Sequence, residues 1–471
     1  MNFRDKKITV MGLGLHGGSE GLIRYLVSQG AKVKVSDAKP KEDLMPTIDR
    51  LSDLDISYRL GGHEWNHFSN ADMIFINQAV KPDSLWRKRI ERSNIPTSTE
   101  TNLFFESCPA PIIGITGTNG KSTAATLAYE ILKKGYQGSE RKIFFGGNIG
   151  GSLLTILDQI TEKDLVVMEL SSFQLRDFEM IKKSPHVSVI LNITPDHLDY
   201  HKDFGAYLDA KKNILKFQDE SDFAILNYDQ RRVRNLSQEF ESRIIYFSSE
   251  RILKTGVYLK DDEIVYKWRG NYQKILKKSK IPIPGEHNLQ NVLAAIGCGA
   301  IYKIKSEIIV DAIRKFQGLP HRLEFIKEIN GIKYYNDSKA TTPESTIAAL
   351  SSFSEPMILL AGGSEKYSKF RRMSREIIKK CKAVILFGKT AGRIRGSILK
   401  RIDRIPEAKL IKNNIFLVEN LSEAVQKSKD LSKKGDIVLL SPACASFDQF
   451  ANFEERGEKF KKFVKGLNVQ I

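Results

Sequence analysis

The sequence predicts an α/β protein of three domains. Short β-branched runs alternate with amphipathic helical stretches along the whole chain, and 471 residues exceed what one hydrophobic core ordinarily serves. Two proline-containing breaks, Cys108-Pro-Ala-Pro111 and Gly318-Leu-Pro320, punctuate that alternation as linkers do. They place the domains at residues 1–108, 109–319 and 320–471.

In the first domain, residues 7–11, 32–36 and 73–77 read as strands, with a helix over 21–29. In the second, residues 111–116, 165–169 and 188–193 are strands, and 124–132 and 204–217 are helical. Residues 222–284 take on a hairpin-like texture, with strands at 244–247, 256–259 and 263–268, and lysine-rich 274–280 reads as a solvated loop. In the third domain residues 333–336, 357–361, 383–387 and 436–440 read as buried strands, with helices between them.

Hydrophobic residues make up 41% and charged residues 28%, the balance of a soluble globular protein. No apolar run is long enough to cross a bilayer, and residues 6–12 read as a strand and glycine turn where a signal peptide would need an apolar segment. The four cysteines are scattered with no CxxC pair, which argues against zinc and disulfides and for reduced thiols in the cytoplasm. The net charge of +18 invites a nucleic-acid reading, yet the cations are dispersed and accompany no nucleic-acid-binding motif. No nucleic-acid partner is expected.

The sharpest motif is Gly114-Ile-Thr-Gly-Thr-Asn-Gly-Lys-Ser-Thr123, between a strand and a helix. That setting aims backbone N–H groups and a helix N-terminus at phosphate. Lys121 would neutralise phosphate charge and Ser122 would ligate Mg²⁺, with Gly117, Thr118, Asn119, Gly120 and Thr123 completing an ATP-gripping loop. The strict Walker spacing is missed, because Ile115 stands where its first glycine belongs.

Gly12-x-Gly14-x-x-Gly17 follows the first strand and Asp37 ends the second, a dinucleotide-binding fingerprint that keeps a dehydrogenase open as a second reading. The independent phosphate loop favours a two-nucleotide enzyme. Glu169 closes one strand of the central domain and His197 follows another, and the two suit a metal opposite the phosphate loop; the plainer readings are a helix cap and a loop histidine. In the third domain, Asp337 and Lys339 follow a strand. Gly362-Gly-Ser-Glu-Lys366 and Ser441-Pro-Ala-Cys-Ala-Ser446 form two more strand-end loops, which suit either a small acidic substrate or ordinary turns.

Taken in order, these motifs resemble the Mur ligase family over nearly the whole chain. The family pieces are the 117–123 loop, His287-Asn-Leu-Gln-Asn291 and His321-Arg322; the branch that adds D-glutamate is favoured by Glu169-Leu-Ser-Ser-Phe-Gln-Leu175, Asp337-Ser-Lys-Ala-Thr341 and the Ser441–Phe453 stretch. The resemblance implies a Rossmann-like first domain, a phosphate-loop ATPase-like centre and a Rossmann-like third domain. It implies an ATP-dependent ligase of cytoplasmic peptidoglycan precursor synthesis that phosphorylates the carboxylate of UDP-N-acetylmuramoyl-L-alanine and couples the acyl phosphate to D-glutamate. Ser122 and Glu169 would hold one Mg²⁺ and His197 a second, and Lys211, which nothing but the resemblance singles out, would be carbamylated and metal-facing. Lys121, His197 and Lys211 are thus the expected catalytic residues, and Asn291, His321, Arg322 and Asp337 join the loop around ATP. Gly14, Leu15, His16 and Asp37 would receive UDP, and Asn148 the muramoyl group. Lys339, Thr341, Lys366, Ser446 and Phe453 fall to the substrate side, the last four to D-glutamate.

Two departures concern uridine recognition: Asn77-Gln78-Ala79 replaces the family's usual Ser-Pro-Gly, and Ala38-Lys39 stands where a Thr-Arg pair is common. The expected protein is a monomer that closes its domains around substrates. A sister ligase, a folylpolyglutamate synthetase and a basic RNA-binding regulator are the remaining alternatives.

Overall fold

The computed structural model describes residues 1–14, 18–268, 270–365, 368–402 and 411–467. Those residues form three sheets, one for each expected α/β domain. They divide into two compact units, 1–279 with 290–313, and 280–289 with 314–471.

In the first unit, one sheet is entirely parallel, in the order Ile56–Leu60, Lys32–Asp37, Lys7–Met11, Met73–Ile76, Thr97–Ser98. Lys7–Met11 lies at its centre, and Ile8 and Val10 on one face and Thr9 and Met11 on the other are all buried, as a strand covered on both faces requires. Helix Glu20–Ser28 follows the glycine turn.

The other sheet of this unit has nine strands, in the order Asn271–Lys277, Glu263–Trp268, Gly256–Lys260, Arg243–Ser248, Phe223–Asn227, Val187–Ile190, Ile112–Thr116, Leu165–Glu169, Ile143–Gly147. Pairing is parallel from Ile143–Gly147 to Gly256–Lys260; the last two pairs are antiparallel. The hairpin texture expected from residue 222 onward therefore begins later, and Arg243–Ser248 extends the parallel sheet. The loop expected at 274–280 is half strand. A register shift opposite Ile264 and Val265 leaves Ile275 as a bulge beside Leu276. The bulge turns two consecutive apolar residues inward while Lys274 and Lys277 stay exposed. Helix Lys121–Gly135 starts at the phosphate-loop lysine itself, three residues earlier than expected.

The second unit holds six strands, in the order Glu324–Ile329, Ile332–Asn336, Ile437–Leu440, Met357–Gly362, Cys381–Phe387, Ile415–Leu417. The first pair is an antiparallel hairpin and the rest are parallel. All four expected strands are present. In each sheet the loops that carry the candidate site residues leave the C-terminal ends of the parallel strands, where α/β folds place ligands.

Candidate active site

The phosphate loop is held from below by Asn192. The Asn119 N–H donates to Asn192 Oδ1 at 2.8 Å, and Asn192 Nδ2 donates back to the Asn119 carbonyl at 2.9 Å. Gly120 has φ +87°, and a Cβ there would lie 2.2 Å from Asn291 Oδ1, so Asn291 packs directly against the turn. Lys121 Nζ reaches back to the carbonyls of Gly117 and Thr118, both at 2.9 Å. Ser122 and Thr123 are buried in the first helical turn. Thr118 Oγ1 donates to the Thr194 carbonyl at 3.0 Å and lies 2.9 Å from the Tyr207 hydroxyl.

Glu169 ends the strand next to the one that feeds the loop. Its Oε1 accepts from Asn148 Nδ2 at 2.7 Å, while Oε2 is buried with no hydrogen-bond partner. Gly147, φ +102°, lets the chain pass the Glu169 carbonyl, 2.4 Å from where a Cβ would stand. Lys211 projects from helix Phe204–Lys216 and is buried. Its Nζ donates to Thr116 Oγ1 at 3.1 Å and to the Gly117 carbonyl at 2.9 Å. Burial, then the charge of Lys121, holds its pKa well below the usual lysine value, against the opposing pull of Asp196 and Glu169.

The structure thus gathers the phosphate loop, Glu169, Asn148, Lys211 and Asn291. His197 is the N-cap residue of the short helix Leu198–His201. It adopts φ +50°, packs on the Phe173 ring at 4.9 Å and keeps a half-exposed imidazole. Among the described residues no three His, Cys, Asp or Glu side chains form a metal-binding group. Glu169 Oε2, a buried carboxylate oxygen without a hydrogen-bond partner, is nevertheless a donor of the kind a hard cation takes.

Three residues of this neighbourhood went unread in the sequence. Asn192 and Tyr207 matter only through contacts with residues far away in the chain. His201 offered a signal, as the second histidine of His197-Leu-Asp-Tyr-His201. Its Nε2 lies 2.9 Å from Ser172 Oγ, and burial, helped by His197 and Lys211, brings its pKa down to about 4.

At the first sheet, Asp37 is committed to the backbone: Oδ2 accepts the Leu13 N–H at 2.7 Å and Oδ1 the Lys39 N–H at 2.9 Å. It shapes the turn of Gly12 and Gly14, both at positive φ. Leu15 and His16 lie outside the described residues. Asn77 replaces the expected proline turn with a polar one, its Oδ1 accepting from Ala79 N–H and its Nδ2 donating to Ser19 Oγ, each at 2.9 Å. A cleft of about 420 Å³ opens here, lined among others by Gly18, Gln78, Asn148 and Gln174. Asn148 therefore borders the cleft and holds Glu169 at once. Glu100, also in the lining and unforeseen, has its carboxyl pushed up to about 7 by burial.

In the second unit, Asp337 is buried, with Oδ1 accepting the Leu323 N–H at 3.2 Å and Oδ2 the Ser441 hydroxyl at 2.8 Å. Burial pushes its carboxyl up to about 7, although the charge of Arg322 favours ionisation. His321 is buried at φ +61°, with Nδ1 2.9 Å from Asn336 Nδ2. Lys339 Nζ sits 5.6 Å over the Phe453 ring, and Thr341 N–H donates to the Lys339 carbonyl. Ser446 is buried and its carbonyl accepts from Gln449 and Phe450 N–H. Lys366 lies outside the described residues. The unforeseen residue is Arg456, fully buried, which donates to the carbonyls of Ser338, Cys444 and Ala445 and so ties two strand-end loops together.

Comparison with known proteins follows the same order along the chain. Family models match for the Mur ligase MurD-like N-terminal domain over residues 6–93, the Mur ligase middle domain over 115–299 and the Mur ligase glutamate ligase domain over 321–444. A protein of Thermoanaerobacter sp. (strain X514) named UDP-N-acetylmuramoylalanine–D-glutamate ligase is 39% identical over 467 residues, covering 99% of this chain and 100% of that one. One of the same name from Acetivibrio thermocellus is 38% identical, covering 99% and 97%. The domains and their order define an ATP-dependent ligase. This chain belongs to the Mur ligase family. Among solved structures, UDP-N-acetylmuramate-alanine ligase from Thermotoga maritima matches at a TM-score of 0.58 and 17% identity, covering 98% of this chain and 99% of that one. A MurF ligase from the same organism matches at 0.56 and 17%, covering 92% and 95%. Both likenesses speak for the fold.

Proposed function

We propose that this enzyme joins D-glutamate to UDP-N-acetylmuramoyl-L-alanine, consuming ATP through an acyl phosphate. The observation that carries the reading is the partnerless Glu169 Oε2 beside a lysine-bearing phosphate loop and buried Lys211. The names of the full-length relatives point to the same substrates.

Loop N–H groups and Lys121 hold the phosphates of ATP. Ser122 and Glu169 would hold one Mg²⁺, and His197 with carbamylated Lys211 a second, and ions held there would neutralise charge on the phosphoryl oxygens. The alanyl carboxylate attacks the γ-phosphorus, the bond to the β-phosphate oxygen breaks, and ADP leaves. The D-glutamate amine then attacks the acyl carbon, and the tetrahedral intermediate expels phosphate and a proton to leave the amide. Burial, which lowers the pKa of Lys211, favours the neutral amine that CO₂ requires; carbamylation then forms an N–C bond and releases one proton. Gly14, Leu15 and His16 receive the uridine diphosphate, with Asp37 setting the turn, and Asn148 orients the muramoyl group. Asn291, His321, Arg322 and Asp337 serve the nucleotide, Lys339 a substrate phosphate or carboxylate, and Thr341, Lys366, Ser446 and Phe453 receive D-glutamate. The domains at 1–108, 109–319 and 320–471, a monomeric state and a cytoplasmic site of action belong to the same reading.

The test is an amino-acid panel. Phosphate release should require ATP, Mg²⁺, UDP-N-acetylmuramoyl-L-alanine and D-glutamate together. Equal turnover with L-glutamate or a diamino acid, or with a folate acceptor, would overturn the assignment.

A further inference from the structure

A cavity of about 660 Å³ lies in the first unit, between the antiparallel end of the nine-stranded sheet and helices Glu286–Ile301 and Ser306–Lys315. Two of its lining residues, Phe223 and Arg243, are the first residues of their parallel strands. The phosphate loop follows the last residue of a strand in the same parallel array, so the cavity opens at the opposite edge of the sheet. Nothing in the ligase reaction uses it.

Its chemistry is two-sided. Ile245, Ile275 and Ile296 form a buried apolar floor, and the half-buried rings of Tyr266 and Trp268 stand beside it. The charged side chains among the described lining residues are Arg243, Lys303 and Lys305, all cationic; no Asp or Glu joins them. The end of the helix does not cancel that field with bare carbonyls. Lys303, at φ +56°, closes it, and the N–H groups of Tyr302, Lys303 and Ile304 cap the carbonyls of Cys298, Ala300 and Gly299. A chamber of this size with an apolar floor, neutral polar Asn271, Gln273 and Ser306, and only cations among its described charged lining residues fits a small organic anion that carries an apolar body.

We propose that this cavity is a second binding site, for an organic carboxylate or sulfonate with an aliphatic or aromatic body. Asn291, which packs on the phosphate loop, and Ile301, which lines the cavity, lie ten residues apart on one helix, about 15 Å at 1.5 Å per residue. Occupancy is therefore compatible with bound ATP.

The test uses the full-length enzyme and 1-anilinonaphthalene-8-sulfonate, excited by energy transfer from tryptophan. Of the three tryptophans, Trp268 alone lines the cavity. One dye per chain should bind, with saturating ATP leaving its affinity unchanged, and Trp268→Phe should remove most of the transferred emission. Decanoate or 2-naphthoate should displace the dye, the better competitor defining the body, and decanol should displace it at least tenfold less well. Arg243→Glu with Lys305→Glu, both at exposed positions, should weaken dye binding at least tenfold with an unchanged melting temperature. Ala300→Trp should block binding by filling the chamber. Displacement by ATP, failure of both carboxylates to compete, equal competition by decanol, or wild-type affinity in the charge-reversal variant would each overturn the proposal.

Discussion

Asn148 Nδ2 donates to Glu169 Oε1 at 2.7 Å and leaves Oε2 of the same carboxylate buried without a partner. A buried anionic oxygen in that condition costs stability unless a cation completes it. Replacing Glu169 by Gln keeps the shape and the Asn148 contact but removes the charge. Turnover of Glu169→Gln should fall about 100-fold or more, and its Mg²⁺ requirement should shift to higher concentration. Initial rates across a Mg²⁺ titration measure both. An unchanged Mg²⁺ dependence would show that the second oxygen serves no metal.

Lys211 is tested by chemistry. Lys211→Ala should lose about 100-fold or more in kcat, and short carboxylates such as formate or acetate should restore part of the rate by filling the space of the carbamate. Labelled bicarbonate should give a carbamate carbon resonance in the wild type that is missing in the variant. Full activity in Lys211→Ala would refute the carbamate role.

Much of this fold was legible because its strands are buried on both faces. Met357–Gly362 is apolar and wholly buried, and such a run reads as a parallel strand from composition alone. Asn271–Lys277 was hidden because a bulge breaks its alternation and lysines surround the two inward residues. The phosphate loop was equally plain, since strand, glycines and helix are adjacent in sequence. Asn192, Tyr207, Glu100 and Arg456 were not legible. Their contacts reach across the chain: Asn192 meets Asn119 across 73 positions, Tyr207 meets Thr118 across 89 and Arg456 meets Ser338 across 118, while Glu100 is set apart only by its burial. Lys211 is a further case, because a helical lysine is ordinarily solvated and only the packed structure shows it buried.

Gly120 supplies a prediction about the loop itself. Its φ of +87° disfavours any side chain, and a Cβ would also press on Asn291 Oδ1. Gly120→Ala should therefore cost about 1–3 kcal/mol of stability and weaken ATP binding. Adding Asn291→Ala relieves the clash but leaves the backbone strain, so the double variant should recover part of the lost stability. Thermal melts with and without ATP, arranged as a double-mutant cycle, separate the two contributions.

Asp337 gives a pH dependence with a definite sign. Its carboxyl titrates from 3.8 in the unfolded chain to about 7 in the folded one, so the native state holds a proton that the unfolded state releases. Stability from this group is complete below about pH 4 and is lost as pH rises toward 7. A hydrogen-bond chain can accommodate the neutral form, because Ser441 Oγ also lies 3.0 Å from Thr346 Oγ1. A neutral Asp337 can donate to Ser441, whose hydroxyl then turns to Thr346. Asp337→Asn preserves the shape and removes the titration. Between pH 4 and 7 the wild type should therefore lose stability relative to the variant, with a slope approaching about 1.4 kcal/mol per pH unit. Denaturant midpoints of the two proteins across that range measure the difference. A flat difference would mean that Asp337 stays ionised in the native state, held so by Arg322 and its two hydrogen-bond donors.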